Sequence, residues 1–252
     1  MPFCSEDSVV KHAIVTENLS KVYSDGRNEV TAVAGVDLVL NAGEVVGLFG
    51  PSGSGKTTLL SMLGCILSPT SGSYRLYGKE VVNLDETKLP AVRKKLISLI
   101  FQGFNLFPAL TAYENVMLGL QIKGITGPAA DKRTRDLFAE VGLSDRMDFL
   151  PRDLSGGQKQ RVAVARALAS DSPVILADEP TGNLDFANGR NVMEILRKLA
   201  RERRKCVIVA THDNRIEDIF DRILFMEDGR IVKEVNDIAK LKLMRELTSS
   251  SI

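Results

Sequence analysis

The stretch GPSGSGKT, Gly50–Thr57, decides the fold, because it satisfies every fixed position of the phosphate-loop pattern G-x-x-x-x-G-K-[ST]. An unbroken apolar run, Val45–Phe49, precedes it, as expected of a buried strand. Thr58–Leu67 then switches to helical spacing. The apolar residues that share one face of this predicted helix are Leu59, Leu60, Leu63, Ile66 and Leu67. A strand, a glycine-rich loop and a helix in this order predict a nucleoside-triphosphate site.

The residue types in this loop follow from phosphate chemistry. Glycines let the backbone fold tightly enough for successive N–H groups to point at phosphate oxygens, aided by the N-terminus of the following helix. Lys56 adds a positive charge at the β- and γ-phosphates, and the Thr57 hydroxyl is a suitable Mg²⁺ ligand. A turn that merely happens to be rich in glycine and serine would not explain the flanking strand and helix.

The composition around this loop is that of an ordinary globular protein. The chain has 252 residues, of which 44% are hydrophobic and 26% charged, so disorder, collagen and coiled coil are excluded as global descriptions. The longest apolar stretches, such as Leu96–Phe101 and Val174–Ala177, are far shorter than the roughly 20 residues of a membrane-spanning helix. Lys and Arg total 33 against 32 Asp and Glu, and this net charge of +1 argues against a nucleic-acid partner.

Cysteine usage and the N-terminus indicate the compartment. Cys4, Cys65 and Cys206 are too few and too scattered for a disulfide framework, which fits a reducing cytosol. Met1–Val10 lacks a signal-peptide pattern and is predicted to be a short frayed leader.

Hydrophobic periodicity divides the chain into three regions. Roughly the first 80 residues favour strands and turns, with Val36, Leu38 and Leu40 alternating as in a half-buried strand. Residues 103–165 instead carry helical patterns separated by glycine and proline, without a strand among them. The three predicted helices of this region are Tyr113–Ile122, Asp131–Val141 and Ser155–Ser170. This region is therefore predicted to be a helical insertion in an α/β core.

The strand signal returns in the last third of the chain, at Val174–Ala177, Val207–Ala210 and Ile223–Met226. Between the first two strands lies a helical pattern made by Val192, Ile195, Leu196 and Leu199. This alternation predicts a parallel sheet with crossover helices. A turn leads into a last short strand, Arg230–Lys233. The basic run Arg201–Lys205 is predicted to be mostly a solvated helix C-terminus and not a binding patch.

Two carboxylates follow the first of these strands. Asp178 and Glu179 stand at its predicted carboxyl end, where Asp178 would enter the Mg²⁺ shell. Glu179 would then face the γ-phosphate and polarise an attacking water. A second carboxylate at this position favours hydrolysis over phosphoryl transfer to another substrate.

The sequence LSGGQKQR, Leu154–Arg161, is the most specific stretch of the chain. Ser155 as N-cap and Gln158 three residues later form a capping box. Gly156 and Gly157 in the first helical turn each cost about 1 kcal/mol relative to alanine. Their predicted benefit is an uncovered helix N-terminus that an anion can approach closely.

The phosphate loop, the Leu-Ser-Gly-Gly-Gln signature and the hydrophobic-Asp-Glu strand, in this order, resemble an ABC-type ATPase domain over about Ile14–Glu234. The resemblance implies a P-loop NTPase (RecA-like) α/β fold. It consists of a parallel-sheet core with an N-terminal antiparallel β subdomain and an inserted helical subdomain. Residues 1–252 would form one nucleotide-binding domain, and residues 103–165 the inserted subdomain with the signature.

The family's other landmarks are matched residue by residue. Gln102 matches the glutamine loop that senses Mg²⁺ and the membrane partner, and His212 matches the switch histidine that contacts the γ-phosphate. Gly182–Asp185 matches the loop that communicates across the dimer. Tyr23 matches the aromatic that stacks on adenine, with simple packing at a strand end as the alternative.

The resemblance implies ATP and Mg²⁺ as cofactors and a shared pair of sites in a head-to-tail homodimer. The implied catalytic residues are Lys56, Gln102, Glu179 and His212, and the implied Mg²⁺ ligands are Thr57, Gln102 and Asp178. The resemblance also implies a set of nucleotide contacts. The implied residues are Tyr23, Gly50, Pro51, Ser52, Gly53, Ser54, Gly55, Lys56, Thr57, Thr58, Asp178, Asp185, Ser155, Gly156, Gly157 and Gln158. The signature residues among them would contact the ATP of the partner subunit.

Two further stretches, Glu179–Asp185 and Phe101–Val116, resemble the MacB/LolD/FtsE branch, and Thr211–Gly229 resembles DevA-type exporter ATPases. The branch implies an ATPase that powers export or extrusion of a lipoprotein, glycolipid, peptide or drug. It would act through a separate permease with an extracytoplasmic domain, peripherally at the cytoplasmic face of the inner membrane. The permease would dock near Gln102–Thr111, on Phe104 and Phe107, unless both are core residues of the helical insertion.

Three other functions of ABC-type ATPases compete with transport. An ABC-type DNA-repair ATPase would place a long coiled coil between phosphate loop and signature, and only about 100 residues without heptads intervene here. A translation factor would need two tandem ATPase domains. An FtsE-like regulatory ATPase, which signals across the membrane without moving a substrate, stays open. In the tail, Ile238, Leu241 and Met244 fit one face of an accessory helix, and a frayed tail fits equally well.

Overall fold

A computed structural model describes residues 12–238 of the chain, except for residues 27, 83 and 86. The predictions for Met1–Val10 and for the tail beyond Ile238, including Leu241 and Met244, lie outside the described residues.

Ten strands and six α-helices make up the described chain. The strands are β1 His12–Ser24, β2 Glu29–Asn41, β3 Val45–Phe49, β4 Ser71–Leu76, β5 Lys79–Glu80, β6 Ile97–Ile100, β7 Val174–Asp178, β8 Cys206–Thr211, β9 Arg222–Glu227 and β10 Arg230–Val235. The helices are α1 Lys56–Leu63, α2 Leu89–Leu96, α3 Ala112–Ile122, α4 Gly127–Glu140, α5 Gly156–Ala169 and α6 Phe186–Arg203. Short 3₁₀ helices lie at Ser144–Arg146, Pro151–Asp153 and Asn214–Ile219.

The strands form two sheets, as the sequence predicts. The central sheet has the order β10-β9-β3-β8-β7-β6 and is parallel except for the edge strand β10. The second sheet has the order β2-β1-β4-β5 and is antiparallel throughout. Because parallel strands end at the same edge of a sheet, the residues that follow β3, β6, β7 and β8 converge there.

The central sheet is buried on both faces, which explains its unbroken apolar strands. On β3, Val45 and Phe49 belong to the core shared with α3, α4, α5 and α6. Val46 and Leu48 instead face the core shared with α1 and the antiparallel sheet. Alternate residues of one strand therefore join the two cores.

Between β6 and β7 the described chain contains helices and turns, in agreement with the predicted helical region. The helix Ala112–Ile122 begins at a capping box in which the backbone N–H of Glu114 donates to Thr111 Oγ1 over 3.2 Å. The helix Gly156–Ala169 runs beyond residue 165 and ends beside the sheet. The subdomain boundaries 103–165 remain a prediction.

One local prediction was wrong. The first helix ends at Leu63 and not at Leu67, so Ile66 and Leu67 lie outside it and Ile66 is exposed. Cys65 ends the helix, because its φ of +53° lies in the left-handed region and the N–H groups of Cys65 and Ile66 donate to the carbonyl oxygens of Met62 and Ser61.

The basic run at the end of α6 is mostly solvated, as predicted, since residues 201–204 are exposed. Lys205 is the exception. It is buried, and its Nζ lies 2.9 Å from Asp171 Oδ1 and 2.8 Å from the Ser172 carbonyl oxygen.

Candidate functional site

The phosphate loop turns between β3 and α1 at the carboxyl edge of the central sheet. Gly55 has φ of +102°, and a Cβ there would lie 2.2 Å from the carbonyl oxygen of Ala32. A Cβ at Gly50 would lie 2.2 Å from the carbonyl oxygen of Met226. These two positions therefore require glycine, because any side chain would strike the backbone of β2 or β9.

Lys56 is held inside this loop. Its Nζ donates to the carbonyl oxygens of Gly50 and Pro51, each over 2.8 Å, and the residue is buried. The ammonium thus lies at the mouth of the loop, where a phosphate oxygen would replace one of these carbonyls. A cleft of about 710 Å³ opens above it.

Asp178 and Glu179 lie at the carboxyl end of β7, across the cleft from the phosphate loop. Burial raises the pKa of the Asp178 carboxyl above its ordinary value, and the neighbouring Glu179 charge raises it further. A hydrogen bond from the Thr57 hydroxyl and the charge of Lys56 act in the opposite direction. The surrounding protein therefore stabilises the ionised form of Asp178 less well than water does.

Glu179 and His212 come together although 33 positions separate them in the chain. His212 follows β8, and its Nδ1 lies 2.8 Å from Glu179 Oε1. The other oxygen of Glu179, Oε2, is buried without a hydrogen-bond partner among the described residues. Glu179 has φ of +46°, an uncommon conformation for a residue with a side chain. The backbone thus turns at Glu179 and holds one carboxylate oxygen ready for a ligand.

Gln102 follows β6 and lines the same cleft. Its carbonyl oxygen accepts a hydrogen bond from Asn183 Nδ2 over 3.0 Å. A Cβ at Gly182 would lie 3.0 Å from Gln102 Nε2. Gly182 therefore allows the loop after β7 to pack against Gln102.

Oxygen donors dominate the part of the cleft predicted to hold Mg²⁺. The Thr57 hydroxyl bonds to the incompletely compensated Asp178 carboxylate, and both are hard ligands of the kind that Mg²⁺ prefers. Within the described residues, no group of three His, Cys, Asp or Glu side chains could hold a metal ion. The residues present fit a cation that shares its coordination with phosphate oxygens.

The signature residues lie elsewhere, at the start of α5. The backbone N–H of Ser155 donates to Gln158 Oε1 over 2.8 Å, and the N–H of Gln158 donates to Ser155 Oγ over 3.3 Å, so the predicted capping box is confirmed. A Cβ at Gly157 would lie 2.7 Å from Asn188 Cγ, and one at Gly156 would lie 3.3 Å from the Asn183 carbonyl oxygen. The paired glycines thus have a packing reason that the sequence did not reveal.

Asp185 and Tyr23 do not line the cleft in this chain. Asp185 is the N-cap of α6, where its Oδ1 accepts a hydrogen bond from the Asn188 N–H over 2.9 Å. Tyr23 lies near the end of β1 with an exposed ring, 5.5 Å from Lys21 Nζ. The sequence missed Ala32 of β2, which does line the cleft.

Most of the predicted site residues nevertheless converge. Those that line the cleft are Pro51, Ser52, Gly53, Gly55, Lys56, Thr57, Thr58, Gln102, Asp178, Glu179 and His212. Gly50 and Ser54 belong to the same loop without lining the cleft. The signature residues Ser155–Gln158 form a separate surface feature.

A family model described as "ABC transporter" matches residues 33–182. The chain is 46% identical over 215 residues to the macrolide export ATP-binding/permease protein MacB of Salmonella typhi, which covers 85% of this chain and 33% of that protein. It is 41% identical over 227 residues to the lipoprotein-releasing system ATP-binding protein LolD of Pseudoalteromonas translucida, covering 90% and 98%. The chain thus spans about a third of the length of the MacB relatives it matches.

Solved structures of ATP-binding cassettes are also similar to this chain. A dimeric structure of the ATP-binding cassette MJ0796, in a post-hydrolysis state bound to ADP and Pi, superposes with a TM-score of 0.83 at 39% identity. The superposition covers 88% of this chain and 98% of that one. CbiO1 from Clostridium perfringens, part of the ABC transporter complex cbiONQ, superposes with a TM-score of 0.84 at 28% identity, over 95% and 94%.

Proposed function

This chain belongs to the ABC transporter family as an ATP-binding, ATP-hydrolysing cassette, and from that premise we propose that it powers export or extrusion through a separate membrane permease. One observation carries the proposal. Lys56, Glu179 and His212 face one cleft, with Oε2 of Glu179 buried and without a partner among the described residues. A carboxylate prepared in this way beside a phosphate loop suits the activation of water.

Each residue has a distinct role in this proposal. Lys56 and the loop N–H groups bind the β- and γ-phosphates. Thr57, Asp178 and Gln102 would hold Mg²⁺, which when bound neutralises charge on the phosphate oxygens. Glu179 accepts a proton from the attacking water through Oε2, and His212 orients Glu179 through the bond to Oε1.

We propose further that each site is completed by a second copy of the chain. In support, the start of α5 does not line the cleft of its own chain, and its helix N-terminus suits an anion. Ser155, Gly156 and Gly157 would then contact the γ-phosphate held by the partner subunit, while Asp185 communicates across the interface. ATP binding would close the homodimer and hydrolysis would reopen it.

The proposed permease docks beside Gln102–Thr111. Phe107 is 51% exposed there, and Phe104 is half-buried with φ of +61°. Phe107 is therefore available to a partner, whereas Phe104 is partly packed.

No helix of the described residues is long and apolar enough to span a bilayer. We place the subunit peripherally at the cytoplasmic face of the membrane, held by a permease with an extracytoplasmic domain. The FtsE-like alternative has no observation of its own in its favour.

Glu179→Gln tests the proposal. We expect this variant to lose ATP hydrolysis by at least about 100-fold, because the amide cannot accept the proton of water, while ATP binding and ATP-driven dimerisation persist. Phosphate release and light scattering with ATP measure the two properties. Glu194→Gln, at an exposed position on α6, is the matched control. Hydrolysis by Glu179→Gln at the wild-type rate would remove Glu179 from the mechanism.

A further inference from the structure

The side chain of His212 is held less by packing than by the backbone that carries it. It is 70% exposed, and its Nδ1 lies 2.8 Å from Glu179 Oε1. An exposed side chain has several rotamers open to it, and fixing one of them costs conformational entropy. The backbone at His212 must therefore be placed accurately for the contact with Glu179 to persist.

Fixed contacts flank His212 in the chain. Before it, Thr211 ends β8 and is fully buried. After it, the backbone N–H of Asp213 donates to Thr211 Oγ1 over 3.1 Å. Asp213 is also the N-cap of the 3₁₀ helix Asn214–Ile219, and its Oδ1 accepts a hydrogen bond from the Arg215 N–H over 3.0 Å. The place of Asp213 thus decides how the backbone leaves His212.

The guanidinium of Arg215 holds the Asp213 carboxylate. Its Nε donates to Oδ1 and its Nη2 donates to Oδ2, each over 2.8 Å. A bidentate pair of this kind is stronger and more directional than a single-point ion pair. The hydrogen bonds from Arg215 lower the pKa of the Asp213 carboxyl, so this group is ionised at neutral pH. The Asp213 side chain is only 14% exposed, so the pair is partly shielded from solvent.

The same guanidinium also lies over an aromatic ring. Its Cζ is 5.6 Å from the centroid of the Phe186 ring, within the range of a cation–π contact. Phe186 is the first residue of α6, and its ring is partly exposed. Arg215 therefore joins the loop after β8 to the start of α6.

An ion pair joins the same two helices at a second point. Arg190 donates to both carboxylate oxygens of Asp218, over 3.3 Å from Nη1 and 2.8 Å from Nη2. Phe186 and Arg190 are one turn apart on α6, and Arg215 and Asp218 are one turn apart on the 3₁₀ helix. Each pair thus lies on one face of its helix. We call the contacts among these four residues the α6 clamp.

We propose that Arg215 is a positioning residue for His212. Bonded to Asp213 and stacked on Phe186, it fixes the loop after β8 to α6 and so keeps the imidazole within reach of Glu179. The second ion pair of the α6 clamp keeps the 3₁₀ helix in register with α6. This inference rests on the proposed function, because the place of His212 affects hydrolysis only if Glu179 receives the proton of the attacking water.

Steady-state kinetics of Arg215→Ala test the proposal. We expect kcat for ATP hydrolysis to fall about five- to tenfold while KM for ATP changes less than about twofold, because the groups that bind nucleotide are untouched. Arg135→Ala is the matched control. Arg135 likewise bonds a carboxylate, that of Asp131, and lies over a ring, that of Tyr113, but on helices away from the cleft. An unchanged kcat in Arg215→Ala, or an equal fall in the control, would overturn the proposal.

Combination with His212→Ala shows whether Arg215 acts through the histidine. Once His212 is removed, Arg215→Ala should lower kcat by less than about twofold, because no imidazole remains to be positioned. An equal loss in both backgrounds would overturn the proposal. A normal rate in His212→Ala would overturn the role of His212 in the proposed function and the positioning role with it. A normal rate in Arg215→Ala alone overturns only the positioning role.

Imidazole NMR gives a readout that does not depend on hydrolysis. The chain contains two histidines, so in a His12→Ala background the imidazole signals come from His212 alone. In the nucleotide-free chain labelled with ¹⁵N-histidine, Arg215→Ala should move the Nδ1 resonance toward its position in Glu179→Ala, which lacks the partner carboxylate. Arg135→Ala should leave the resonance in place, and thermal unfolding verifies that each variant is folded. An unchanged resonance in Arg215→Ala would overturn the proposal even if kcat fell.

Discussion

The nucleotide cleft and the start of α5 carry the two most specific motifs of this chain, and they differ in how the chain itself completes them. In the cleft, elements distant in sequence bring His212 to Glu179, yet Oε2 of Glu179 keeps no partner among the described residues. At the start of α5, the side chains of Ser155 and Gln158 each accept a hydrogen bond from the other residue's backbone N–H, and Gly157 packs on Asn188.

The two regions therefore differ in the groups that they offer to a ligand. Unsatisfied polar groups in a cleft indicate a site that a ligand completes. The side chains of Ser155 and Gln158 accept hydrogen bonds from the helix's own backbone, so the first turn of α5 offers a ligand its backbone N–H groups and its positive dipole end. Further along the signature, the buried amide of Gln160 and Nε of Arg161 have no hydrogen-bond partner among the described residues. In the proposed function, the cleft would hold the reacting groups of one chain, and the first turn of α5 would contact the phosphate bound by another.

The largest effect should come from the hydrogen bond between His212 and Glu179. His212→Ala removes the nitrogen 2.8 Å from Glu179 Oε1, and we expect the rate of hydrolysis to fall about 100-fold while ATP affinity changes less than about threefold. Steady-state phosphate release and equilibrium nucleotide binding measure the two quantities. His12→Ala, which alters an exposed histidine on β1, should leave the rate unchanged. A normal rate in His212→Ala would show that Glu179 is positioned without the histidine.

Gly157→Ala changes the packing at the start of α5 and leaves the cleft residues in place. The added Cβ would lie 2.7 Å from Asn188 Cγ, so the Asn188 side chain or one of the two helices must shift, and we expect a loss of about 1–3 kcal/mol in the free energy of unfolding. Urea unfolding measures it. Gly103→Ala, whose Cβ would meet only Asn105 Oδ1 at 3.6 Å, should change stability by less than about 0.5 kcal/mol. Equal stability of the two variants would mean that the glycine serves only the approach of a ligand.

The two capping boxes, at Ser155 and at Thr111, allow a matched test of the role proposed for the signature. Ser155→Ala and Thr111→Ala each remove an N-cap side chain, and each should lower the free energy of unfolding by about 1 kcal/mol. Only Ser155→Ala should also weaken ATP-driven dimerisation, because α3 is not proposed to contact nucleotide. Chemical denaturation and sedimentation with ATP distinguish the two effects. A matching loss of dimerisation in Thr111→Ala would refute a specific role of the signature.

The smallest change in stability concerns the charge of Asp178. Burial raises its pKa, so at neutral pH its ionised form is less favourable in the folded protein than in the unfolded chain. Asp178→Asn should therefore raise the melting temperature of the nucleotide-free protein by up to about 2 °C, although it also removes a proposed Mg²⁺ ligand. The gain in melting temperature should narrow as the pH falls, because the wild-type carboxyl then becomes neutral. A lower melting temperature at neutral pH would contradict this account.

Local patterns predicted correctly what depends on neighbouring residues. The apolar run before the phosphate loop is β3, and the capping box of Ser155 forms as its spacing indicates. The sequence predicted too long a first helix, because the apolar spacing continues past Gly64, whereas the left-handed backbone at Cys65 ends the helix. The burial of Lys205, in a run that is otherwise solvated, was not predicted, because the sequence cannot show that Asp171 and Ser172 lie beside it.

The sequence by itself determined the phosphate loop, the Asp178–Glu179 pair and the capping box of Ser155, since their chemistry lies within a few consecutive residues. The tertiary structure alone decided which residues meet across the chain. It placed His212 beside Glu179 and set Gly157 against Asn188. The physical reason is that these contacts depend on strand order and helix packing, which no local spacing records.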